Sequence, residues 1–126
     1  MPDWSIMFVP AQYPTPDKPA DFQLDSPDTE RGASVQVFQG DLVSWNNTTQ
    51  DTHQPAVFAP VGGAGPPVGD PQPIGGTLQP RKSSPAYPVA APPGSVIRFC
   101  CTLHKGEFGV MLVTTPGQPP GPPPSV

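Results

Sequence analysis

Apolar and polar residues alternate most cleanly over residues 34–47, SVQVFQGDLVSWNN. Val35 and Val37 share one parity, Gly40-Asp41 interrupts the run as a turn or bend, and Val43 and Trp45 resume it. A period of two predicts half-buried β-strands whose successive side chains point to opposite faces. The same signal predicts strands over DWSIMFV (3–9), SVIRFCC (95–101) and VMLVTT (110–115). Shorter candidates lie near Phe22–Leu24, in AVFAP (56–60), at Thr77–Leu78 and at Ala86–Ala90. Residues 10–33 and 60–75 carry no period and are rich in proline and other turn-forming residues, so both are predicted to be loops; TLHKGEFG (102–109) reads as a turn. No internal repeat is visible. Many short strands separated by turn signals predict an all-β sandwich or barrel.

Parity also orients the last of these strands but one. Ile97, Phe99 and Cys101 share one face of 95–101, and Val96, Arg98 and Cys100 share the other. Arg98 belongs in water, so Cys101 is expected to point inward with Val43 and Trp45, and Cys100 outward as an exposed thiol.

Composition sharpens this picture. The chain has 126 residues, enough for one domain. Its 23 prolines and 13 glycines exceed a quarter of the sequence, a share that on its own suggests disorder and that excludes long helices. Charged residues are only 13% and the net charge is −4, so charge repulsion does not hold the chain open. The proline and glycine concentrate in 10–33, in 60–75 and in the end PGQPPGPPPSV, which divides the chain into a domain over 1–115 and an extended proline-rich tail over 116–126. The six Lys and Arg form no basic stripe, so no nucleic-acid partner is expected. No apolar run is long enough to span a membrane, and the first twenty residues lack the basic and apolar regions of a secretory signal.

The candidate chemistry lies in few residues. The chain has two cysteines, Cys100 and Cys101, and two histidines, His53 and His104. Cys101 and His104 stand three positions apart in a tight turn between strands, where thiolate and imidazole reach one small ion. His53 lies forty-eight residues before Cys101, just after the strong strand. Two His and one Cys form the ligand set of a trigonal copper electron-transfer site, with soft thiolate suiting Cu(I) and imidazole both oxidation states. A strained vicinal disulfide between Cys100 and Cys101 would destroy such a site. No other acid–base or nucleophile cluster is visible, so the chain is not expected to be an enzyme. Asn46-Asn47-Thr48-Thr49 contains overlapping N-x-T sequences and reads as polar loop.

The segment Val35-x-Val37-x-x-Gly40-Asp41-x-Val43-x-Trp45-x-Asn47, followed by His53, together with Phe99-x-Cys101-x-x-His104, resembles the cupredoxins of the plastocyanin, amicyanin and azurin type over residues 34–115. The resemblance implies a Greek-key β-sandwich or barrel with long Pro/Gly-rich loops, one copper ion cycling between Cu(I) and Cu(II), and single-electron transfer. A transient redox protein partner is then expected to dock near His104, on an apolar patch of Leu103, Phe108 and the 60–75 loop, in an extracytoplasmic setting. The family pattern C-x-x-H-x-x-M-x-G, laid on this chain without gaps, puts Glu107 at the axial methionine position and matches Gly109. Met111 is the alternative axial ligand, and a site with no fourth protein ligand is the third possibility. A carboxylate there would favour Cu(II) and lower the potential. By the same match, Gln54 and Thr102 are expected to bond to each other and hold the two ligand segments together. A copper carrier or sensor without redox cycling remains the alternative function, and zinc the alternative ion for a Cys-His-carboxylate set.

Overall fold

The computed structural model describes residues 3–24, 34–62, 66–67 and 69–115. The proline-rich tail, residues 116–126, lies outside them. The described residues form ten strands: β1 (Asp3–Thr15), β2 (Lys18–Leu24), β3 (Ser34–Phe38), β4 (Leu42–Asn47), β5 (Pro55–Val57), β6 (Val61–Gly62), β7 (Gln72–Pro73), β8 (Tyr87–Pro88), β9 (Ser95–Cys101) and β10 (His104–Thr114). One sheet has the order β2-β1-β4-β8; the other runs β3-β10-β9-β5-β7, with β6 also paired to β9. The β1/β4 and β10/β3 pairs are parallel and the remaining pairs antiparallel.

The alternation read from the sequence fills the space between the sheets. Ile6 and Phe8 from β1, Phe22 from β2, Val43 and Trp45 from β4, Ile97 and Phe99 from β9, and Met111 and Val113 from β10 form one buried cluster. Phe99 sits at its centre, with the Phe22 ring edge-on at 4.9 Å and the Trp45 ring at 5.6 Å. Each such side chain taken out of water contributes about 1.5–3 kcal/mol. Between β3 and β4 the chain turns at Gly40, whose φ of 95° suits glycine. The adjacent Asp41 is buried; its Oδ2 accepts the Phe38 N–H and the Trp4 indole N–H, which ties this turn to β1.

Three segments differ from the sequence reading. Residues 10–15 and 18–21, expected in a loop, form a β1–β2 hairpin together with the flanking strand candidates at 3–9 and Phe22–Leu24. Pairing of β1 with β4 ends at Phe8, so from Pro10 onward β1 has a strand neighbour on one side only. A proline, which donates nothing, is tolerated there. Within 60–75, Val61–Gly62 pairs with β9 and Gln72–Pro73 with β5. The predicted turn over 102–109 closes after Leu103, and β10 already begins at His104.

Candidate metal centre

Cys101 is the last residue of β9, and its inward direction follows the parity of that strand: Ile97 and Phe99 are fully buried and Cys101 is 4% exposed. Cys100, on the other face, is half-buried rather than exposed, because β5 pairs beside it at Ala56 and β10 at Phe108. Both cysteines are free thiols.

β5 brings the upstream histidine to the same place. Pro55 stands opposite Cys101, the Thr102 N–H donates to the Gln54 carbonyl at 3.0 Å, and the Gln54 N–H points at Cys101 Sγ at 3.4 Å. His53 is fixed on its other side by reciprocal backbone bonds with Leu78, of 3.1 and 2.6 Å. Its ring lies almost parallel to Phe8, at 4.4 Å between centroids. The Thr102 hydroxyl donates to Gln54 Oε1, so a side-chain bond and a backbone bond join the segments that carry His53 and Cys101.

The fourth side chain arrives through a bulge. His104 pairs with Cys101 and Phe108 with Cys100, so Lys105, Gly106 and Glu107 are extra residues on β10. A bulge bends its strand and re-aims a side chain; here Glu107 turns inward and is 1% exposed. Its Oε2 accepts the Ala20 N–H of the β1–β2 hairpin at 2.9 Å. Its Oε1 lies 2.9 Å from His53 Nδ1 and 3.1 Å from His104 Nδ1. Cys101 Sγ lies 3.8 Å from His53 Nδ1 and 3.5 Å from His104 Nδ1. One donor atom from each of His53, Cys101, His104 and Glu107 falls within 4.8 Å of all the others. Met111 lies in the core cluster, its Cα opposite Ile97.

One sulfur, two imidazole nitrogens and one carboxylate oxygen span soft to hard donors, a set that fits copper or zinc. Burial pushes the Cys101 thiol up to about 11; the Gln54 and Leu103 N–H groups pull it back, and the Glu107 charge adds to the rise. A positive ion at the site would make the thiolate favourable near neutral pH. His104 is the most exposed of the four side chains, at 19%. Leu103 and Phe108 beside it are each 48% exposed. Behind Cys101 a groove of about 590 Å³ is walled by Phe58, Pro66, Pro67 and Phe108, with Arg98 and Lys105 as its charged lining.

No protein-family model and no curated protein sequence matches this chain. Solved structures do. A purple cupredoxin from Nitrosopumilus maritimus aligns with a TM-score of 0.55 at 15% identity, over 87% of this chain and 98% of that one. A rusticyanin variant aligns at 0.56 and 16% identity, over 89% and 76%. The chain has the cupredoxin fold. An amicyanin variant aligns at 0.50 and 17% identity, over 86% and 81%. At such identities the likeness carries the architecture, and the chemistry of this cupredoxin-fold chain rests on its own side chains.

Three contributors to the site were not read from the sequence. The Ala20 N–H reaches Glu107 from a segment without periodicity. Phe8 stacks on His53 from the first strand. Thr49 contacts His53 Nε2 at 2.9 Å and is itself bonded to Asn47. For Asn47 a signal existed: it continues the parity of Val43 and Trp45, and a polar residue on an inward face needs buried partners.

Proposed function

We propose that the protein binds one copper ion through His53, Cys101, His104 and Glu107 and passes single electrons to and from a protein partner. The supporting observation is the convergence of these four donors on a cupredoxin sandwich. Bound copper supplies the Cu(I)/Cu(II) couple. The chain's part is to hold the ligands still: Cys101 on a central strand, His53 pinned by Leu78 and stacked on Phe8, and Glu107 on the Ala20 N–H. Little then has to rearrange when the charge changes.

Glu107 is the fourth ligand in this reading and Met111 a core residue. Met111 stands opposite Ile97, four residues from Cys101 along β9, which is about 13 Å of strand. Gln54 and Thr102 keep the two ligand segments in register. The partner docks over the His104 ring edge and the exposed Leu103 and Phe108. The resemblance to extracytoplasmic electron carriers is the ground for placing the protein outside the cytoplasm.

The buried carboxylate favours a second reading, a copper carrier or sensor that does not cycle, because an anionic hard donor stabilises Cu(II). Copper stoichiometry and voltammetry on the purified protein separate the two. Electron transfer predicts one copper per chain and a reversible one-electron wave. A copper-loaded protein without such a wave is a carrier, and a folded protein that retains no copper is neither.

A further inference from the structure

We infer that Asn47 and Thr49 form a proton lock on His53, fixing its hydrogen on Nε2 and reserving Nδ1 for the ion. The inference rests on the proposed metal site, and it follows from counting protons. The Asn47 amide has only one possible orientation. Its Nδ2 donates to two backbone carbonyls, Asp51 O at 2.7 Å and Leu78 O at 3.0 Å. Its Oδ1 accepts the Thr49 N–H at 2.9 Å. The Thr49 hydroxyl lies 2.7 Å from that same Oδ1, and since Oδ1 only accepts, Thr49 is the donor. The other oxygen near this hydroxyl, Asp51 O at 3.3 Å, is a carbonyl and also only accepts.

A hydroxyl has one hydrogen, and here it is committed. Toward His53 Nε2, at 2.9 Å, Thr49 Oγ1 can only accept, beside the Asp51 N–H at 3.2 Å. Nε2 therefore carries the proton. Asn47, Thr49 and His53 are all buried, away from bulk water. Nδ1, on the other side of the ring, faces Glu107 Oε1 at 2.9 Å and Cys101 Sγ at 3.8 Å. A ring nitrogen and a carboxylate oxygen 2.9 Å apart hold a hydrogen between them in the ion-free protein, and that is the position a bound ion would take over. Neither Asn47 nor Thr49 touches the ion; both act through the ring as positioning residues.

The test has a spectroscopic arm and an affinity arm. Imidazole ¹⁵N NMR of the apoprotein and of the zinc-loaded protein should show His53 Nε2 protonated with a slowly exchanging hydrogen. Thr49→Val removes the acceptor at nearly constant volume and should speed that exchange and weaken zinc binding by roughly 10–100-fold in chelator competition. Thr49→Ser keeps the hydroxyl and should restore both. An Nδ1–H tautomer in the wild-type apoprotein overturns the lock without any variant having to fold. So does a folded Thr49→Val protein with wild-type affinity and exchange. A wild-type chain that shows Nε2–H yet binds neither zinc nor copper keeps the lock and removes the copper function.

Discussion

Glu107 presents one carboxylate oxygen to the Ala20 N–H and the other to two imidazole nitrogens. If that second oxygen is a ligand, Glu107→Gln removes a negative donor and should raise the copper potential and move the absorption toward pure blue. Voltammetry and visible spectra check this, and an unchanged potential takes Glu107 out of the ligand set. Cys101 gives a second prediction. With its thiol pushed up to about 11, an entering ion must displace a proton at any lower pH. Apparent metal affinity should therefore fall by about tenfold per pH unit as the pH is lowered below that value, on the thiol's account alone, as chelator competition across pH would show. At this scale the sequence was highly informative for His53, Cys101 and His104, because the chain has no other histidine and only one other cysteine. Thr49 was opaque: a threonine in a polar run gives no sign that its one hydrogen is committed elsewhere.

Among the elements, the β1–β2 hairpin carries the least expected duty. Its turn crosses to the other sheet, where the Gly106 N–H donates to Asp17 O at 2.7 Å. A Cβ on Gly106 would stand 2.9 Å from that carbonyl oxygen and 2.9 Å from Lys18 Cβ. Gly106→Ala should thus push the hairpin outward, cost roughly 1–3 kcal/mol in denaturant unfolding and free Glu107 from the Ala20 N–H. Wild-type stability and an unshifted Ala20 amide resonance in that variant would show that the hairpin does not hold Glu107. The inward faces of β4 and β9 were legible residue by residue, whereas on the other face of β9 Val96 is buried and Cys100 half-buried. The hairpin was not, because strand pairing over Pro10–Thr15 is decided by which edges lack a second neighbour, and a one-dimensional pattern does not contain that. The bulge at residues 105–107 was hidden for a similar reason: extra residues on one strand are visible only against the partner's register.

At the scale of the whole molecule the described residues form a two-sheet sandwich, and β4 and β9, which supply much of its core, contain no proline or glycine. A composition that suggests disorder is compatible with a packed core because Trp45, Phe8, Phe22 and Phe99 concentrate the apolar burial in few residues. At this scale the buried thiol sets a stability limit. The folded apoprotein holds the Cys101 proton up to about 11 and the unfolded chain loses it near 9.0, so between those values the folded state binds more protons. The thiol's contribution is present in full below about 9 and is lost as the pH rises toward 11. Apoprotein unfolding midpoints should decline across that window, and the decline should be smaller in Cys101→Ala, where only Cys100 and Tyr87, also pushed up by burial, still contribute to it.

The measurement that reaches the central claim most directly is the visible spectrum of the folded apoprotein titrated with Cu(II). A copper centre built on Cys101 predicts an intense thiolate-to-copper charge-transfer band that saturates at one ion per chain and is missing from Cys101→Ser. A folded protein that takes up no copper, or takes it up without that band, contradicts the account.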